Sequence, residues 1–300
     1  MFEMCVTSSQ GIKVATHLAA QRIELCSALS EGGLTPSYGL IKFACDHCAL
    51  TNTKVNVLIR PRAGDFIYTL EELNIMRTDI LQAKGMGVNG VVLGCLTPEG
   101  SVDKDAMHYL MEASEGMDVT FHRAFDVCAN REETLELLIN MGVKRVLTSG
   151  GMGDALEGAD NLKRLQDQGS RRIAIMAGAG VTSHNIAQIA KISGIKEFHF
   201  SAKDEEPSMM RFVNDKVFMG LPGSNEYVLQ VTSEDKAAET IKALLASNCK
   251  ISERSQKNPI RIGYMSIWYL LEDIHEHQKE KDSRESLGDW GQWYHHCHRW

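Results

Sequence analysis

The chain has 300 residues, 43% hydrophobic and 24% charged, with a net charge of −7. That suffices for one large α/β domain or two small ones. The acidic balance excludes a general nucleic-acid binder, and no run approaches the roughly 18–20 apolar residues of a membrane helix. The opening Met-Phe-Glu-Met-Cys-Val-Thr-Ser has neither a basic region nor a long apolar core, so it is no secretion signal. Eight scattered cysteines (5, 26, 45, 48, 95, 128, 249 and 297) then read as reduced thiols of a cytoplasmic protein.

In chain order, eight β-branched or apolar runs predict strands at 3–7, 22–26, 55–60, 90–94, 119–123, 145–149, 172–177 and 197–201. Helical periodicity falls between them at 10–20, 38–50, 70–84, 104–113, 131–141, 155–168 and 183–192. A last helix at 233–246 starts from a Ser233 cap with acidic residues at 234 and 235. Eight strand–helix units in about 250 residues match a single TIM-like (β/α)8 barrel, placed at 1–248. An open doubly wound sheet is the alternative, but the first strand is not followed by a GxGxxG loop. Residues 249–300 differ in kind. All four tryptophans and five of the eleven histidines fall within 268–300, so this extension is either a docked helix near 262–274 or a flexible appendage.

Alternate strand residues point into a barrel, and those near the C-terminal strand ends face the mouth. One parity collects a polar set: Glu3 and Cys5, Glu24 and Cys26, Asn56 and Arg60, Thr120 and His122, His199 and Ser201. The other parity is mostly apolar. Buried charges and imidazoles are costly unless paired, so this separation points to a site. The second strand empties into Ser30-Glu31-Gly32-Gly33-Leu34-Thr35-Pro36-Ser37, a glycine-rich loop suited to one wall of it.

Two chemistries are on offer. Cys5 and Cys26 sit on neighbouring strands about 4.8 Å apart, and two thiolates at that spacing can share one soft cation such as Cu(I). Two small buried residues in a packed core would give the same spacing. Cys45-Asp46-His47-Cys48 has metal-like spacing but lies on the outer half of a helix, and His295-His296-Cys297-His298 offers donors in the tail. The loops favour an anion instead. Arg60 and Arg62 follow the third strand, and Arg123 and Lys203 follow the fifth and eighth. Ala177-Gly178-Ala179-Gly180-Val181-Thr182 leads into a helix after the seventh, where many barrels hold phosphate. Arg60, Arg62, Gly178, Gly180 and Ser201 would then hold a small anionic ligand, with Glu24 and His122 as acid and base. The plainer readings are that Gly178 and Gly180 only make a turn and that Arg60 pairs with Glu24. The segment 204–232 has β-like runs at 217–220 and 227–231 and carries Met209, Met210 and Met219, suited to covering the mouth or to subunit contact.

The stretches RIELCSALSEGGLTPSYG, IRPRAGDFIY (59–68), VTFHRAFD (119–126), RVLTSGG (145–151) and EFHFSA (197–202) resemble the CutC family of copper-homeostasis proteins, in order and spacing, from about residue 3 to 245. The resemblance implies a TIM-like barrel, a cytosolic or nuclear location and self-association as a dimer or tetramer. It also implies Cu(I) binding with a role in copper handling. The family's cysteines after the first two strands match Cys5 and Cys26. Residues from about 250 onward, and the Cys45/Cys48 pair, have no counterpart in the family pattern and inherit nothing from it.

Overall fold

The computed structural model describes residues 1–214, 216–217, 219 and 225–254. Eight parallel strands close in sequence order into a barrel: β1 Phe2–Val6, β2 Arg22–Leu25, β3 Lys54–Leu58, β4 Gly90–Leu93, β5 Asp118–Phe121, β6 Arg145–Thr148, β7 Ala174–Ala177 and β8 Glu197–Phe200. Helices α1 Ser9–His17, α2 Tyr38–Cys48, α3 Leu70–Gly85, α4 Lys104–Ala113, α5 Arg131–Asn140, α6 Ala159–Gly169 and α7 Ile186–Ser193 alternate with them. This is the expected TIM-like (β/α)8 fold. No helix among the described residues is long and apolar enough to cross a membrane.

Local chemistry sets the helix starts. Ser8 accepts from Gly11 N–H ahead of α1, and Asp103 accepts from Ala106 N–H ahead of α4. Thr69 and Glu72 form a reciprocal capping box at α3. The outward parity of the strands is packed under these helices. Met4, Ile23, Leu25, Val91, Phe121 and Val146 are among its fully buried members.

Several elements depart from expectation, among them α6, which begins at Ala159 rather than at 155. Helix α7 begins at Ile186 rather than Ser183, because Asn185 folds back to accept from Thr182 N–H and to donate to the Gly180 carbonyl. The 227–231 run finds its partner in a segment not read as a strand: β9 Lys203–Pro207 and β10 Val228–Thr232 form an antiparallel pair. Phe218 and Gly220 of the 217–220 run lie outside the described residues. The last helix, α8 Glu234–Arg254, continues past the expected end at 246 and past residue 248. The 262–274 helix and the His295–His298 cluster lie outside the described residues.

Candidate functional site

The barrel interior is ionic rather than oily. Near the N-terminal strand ends, Arg22 on β2 donates to Glu3 on β1 at 2.6 Å and to Glu197 on β8 at 2.9 Å. Arg145 on β6 reaches Glu197 at 2.6 Å and Thr120 on β5 at 3.3 Å. Glu3, with no exposure at all, also meets His199 Nδ1 at 2.9 Å and the Asn56 amide at 3.5 Å. Burial opposes charge on Glu3. The His199 hydrogen bond and the Arg22 guanidinium outweigh it and hold the carboxyl at about 2. This ladder of pairs across six strands satisfies charges that would otherwise be prohibitive in a core. Arg22, Arg145 and Glu197 were not singled out from the sequence. They share the inward parity but stand at the strand starts, away from the end where a barrel carries its chemistry.

One step toward the mouth lies the thiol pair. The parallel register sets Cys5 opposite Glu24 and Val6 opposite Leu25, and Cys26 N–H then donates to the Val6 carbonyl. Cys5 Sγ and Cys26 Sγ stand 3.5 Å apart, free thiols rather than a disulfide. Leu58 and Val92 from β3 and β4 close around them as an apolar wall. Gly33 completes the enclosure with φ +89°; a Cβ there would stand 2.7 Å from Leu58 Cδ2 and 3.8 Å from Cys26 Sγ.

On the polar side, ligand atoms of Cys5, Glu24 and His199 lie within 4.8 Å of one another. The hydrogen bond with Cys26, burial, and the Glu24 carboxylate push the Cys5 thiol well above its usual range, so it is held protonated. Burial raises Glu24 despite His199 nearby, and the Glu24 and Glu3 charges raise His199 against its burial. The donors are therefore the Cys5–Cys26 thiol pair, with a carboxylate of raised basicity and an imidazole grouped on its Cys5 side. Two bonds of roughly 2.3 Å span more than the sulfur–sulfur distance seen, so one ion can reach both sulfurs. Soft sulfur donors suit Cu(I).

The other candidate residues are placed elsewhere. Arg60 does not meet Glu24; it donates to the carbonyls of Glu31, Gly33 and Gly64. Arg62 is held by Glu72 at 2.5 Å and by Asp65, and it also donates to the Ala63, Asp65 and Ile67 carbonyls. His122, just after β5, packs against Phe66, whereas Glu24 sits with Cys5 and His199. Gly178 is enclosed, since a Cβ would stand 2.5 Å from Leu147 Cδ1; Gly180 is exposed, and Ser201 is half-buried. At the end of β6 an internal anion takes the backbone donors: Asp126 accepts from Ser149 and Gly151 N–H and from Arg123. Lys203 has become part of β9. Cys45 and Cys48 lie on α2, where burial pushes Cys48 up to about 11 and His47 Nε2 pairs with Thr16 at 3.0 Å.

The family model of the CutC family matches residues 1–204. A CutC family protein of Bacteroides thetaiotaomicron is 46% identical over 244 residues, covering 81% of this chain and 97% of the relative. One of Vibrio campbellii is 43% identical over 244 residues, covering 81% and 98%. A crystal structure described as a candidate copper homeostasis protein CutC, from Streptococcus agalactiae, superposes with a TM-score of 0.65 at 35% identity, covering 67% of this chain and 98% of that one. An aldolase at 13% identity (TM-score 0.50, 66% of this chain and 89% of that one) shares the barrel fold alone.

Proposed function

The chain belongs to the CutC family, and from that premise we propose that it binds Cu(I) through Cys5 and Cys26 and serves in copper homeostasis. The observation that carries this reading is the buried dithiol itself, two sulfurs 3.5 Å apart with Glu24 and His199 alongside. Copper is cargo here, held and handed on rather than used for turnover. Binding as a dithiolate releases the thiol protons. Glu24, its basicity raised by burial, is the nearby acceptor for the Cys5 proton. His199 supplies positive charge or a third donor. The apolar wall of Leu58 and Val92 shields the thiols from water and oxidants.

The test is a competitive Cu(I) titration under reducing conditions on the intact chain and on the Cys5→Ser/Cys26→Ser double variant. The reading requires that the variant fold normally and lose high-affinity copper binding. Unchanged affinity in the variant would overturn it. Because the thiols must ionise, apparent copper affinity of the intact chain should fall as the pH is lowered from 8 to 6.

A further inference from the structure

At the C-terminal mouth, apart from the thiol pair, a buried cation has no counter-ion among the described residues. Arg60 follows β3 and is 6% exposed. Its Nη1 donates to the Glu31 and Gly33 carbonyls at 2.8 and 3.0 Å, and its Nη2 to the Gly64 carbonyl at 2.8 Å. All three partners are neutral. Arg60 forms no ion pair among the described residues, and its Nε–H meets no acceptor. A guanidinium in that state bears the desolvation penalty without the attraction that normally repays it.

Two further donors nearby lack acceptors. His122 follows β5 and is 5% exposed. Ala124 N–H donates to its Nδ1 at 3.2 Å, which places the ring proton on Nε2, and that atom is buried without a partner. Burial and the Arg60 charge hold His122 down at about 3, so it is a neutral donor. The Tyr68 hydroxyl is likewise buried, with Arg60 as its near neighbour, and its proton meets no acceptor. Burial raises its pKa, although Arg60 is near enough to oppose the rise, so it too keeps its proton. The Phe66 ring joins the group, 4.8 Å from the His122 ring and 5.2 Å from Arg60 Cζ. A ring face offsets part of a cation's charge but gives neither N–H a lone pair to donate to. Gly94, after β4, lets the imidazole pack tightly against the backbone: a Cβ there would stand 2.8 Å from the ring.

We propose that Arg60 Nε–H, His122 Nε2–H and the Tyr68 hydroxyl form a binding site for the carboxylate of a small organic acid, whose apolar part lies against Phe66. Charge selects the class. One uncompensated cation with two neutral donors matches a monoanion, whereas a phosphate dianion would leave negative charge buried. The three donor atoms are sealed from solvent, so binding requires the site to open. The site is independent of the copper reading, and Tyr68→Phe leaves the thiols untouched.

The experiment titrates propionate and benzoate into the intact chain carrying 15N-labelled histidine, with propionamide and inorganic phosphate as comparisons. Calorimetry supplies affinities. Saturable carboxylate binding that shifts the His122 Nε2 resonance is expected, with propionamide and phosphate at least about tenfold weaker. Tyr68→Phe removes a hydroxyl whose proton has no acceptor in the free protein. It should keep the fold and the Cu(I) titre while weakening propionate by about tenfold. The proposal is overturned by absence of saturable binding, by an unmoved His122 resonance, by phosphate or propionamide binding as tightly as propionate, or by Tyr68→Phe binding propionate like the parent chain.

Discussion

His122 illustrates how burial fixes a protonation state. Its folded pKa of about 3 lies below the ordinary 6.5, so the unfolded chain takes up a proton that the folded chain refuses between those values. Its contribution is complete above pH 6.5 and declines as the pH falls toward 3. His122→Gln should remove that decline. In chemical denaturation, the gap between parent and variant should narrow by about 2 kcal/mol on going from pH 7 to 4.5; a constant gap would contradict the assignment. Glu3, held at about 2, acts in a lower window, losing its contribution as the pH drops from 4.5 toward 2. At the same scale, the thiols are set by register: Cys5 faces Glu24, and Cys26 stands one residue beyond.

Among elements, the β2–α2 loop matters most to the thiol pair. Gly33 has φ +89° and backs directly onto Leu58 and Cys26. Gly33→Ala combines left-handed strain with overpacking and should cost about 1–3 kcal/mol, read as a lower urea midpoint, with weakened copper binding. The strands were legible because parity sorts polar from apolar residues over four or five positions, and helices α1 to α5 each start from a side-chain cap. Helix α7 was less so: Asn185 was not recognised as a local turn-former, and its side chain engages the backbone from 180 to 182. β9 was missed because Lys203-Asp204-Glu205-Glu206-Pro207 has no apolar alternation; it pairs at the surface with β10. In the site, Cys5, Glu24, Cys26 and His199 were readable from parity. The freedom of Arg60's Nε and the engagement of Arg62 depend on loop paths that no spacing rule encodes.

Across the whole molecule, the barrel exchanges an apolar core for a cross-strand ionic ladder joining β1, β2, β3, β5, β6 and β8. Arg22 is its hinge, shared by Glu3 and Glu197. Arg22→Met should destabilise the fold by about 3–5 kcal/mol, because it leaves buried Glu3 with only His199 and Asn56 and Glu197 with only Arg145; a loss below 1 kcal/mol in urea unfolding would show the ladder to be dispensable. The ladder also braces the residues under the thiols, since Glu3 positions His199 and His199 lies 3.7 Å from Glu24. The most direct measurement of the central claim is X-ray absorption at the copper edge on the loaded full chain. It would be repeated on Cys5→Ser/Cys26→Ser and on a variant with His295, His296 and His298 changed to Ala. The account requires a sulfur-dominated shell that survives the histidine changes and disappears with the cysteines. A nitrogen-dominated shell that vanishes with the histidines would contradict it.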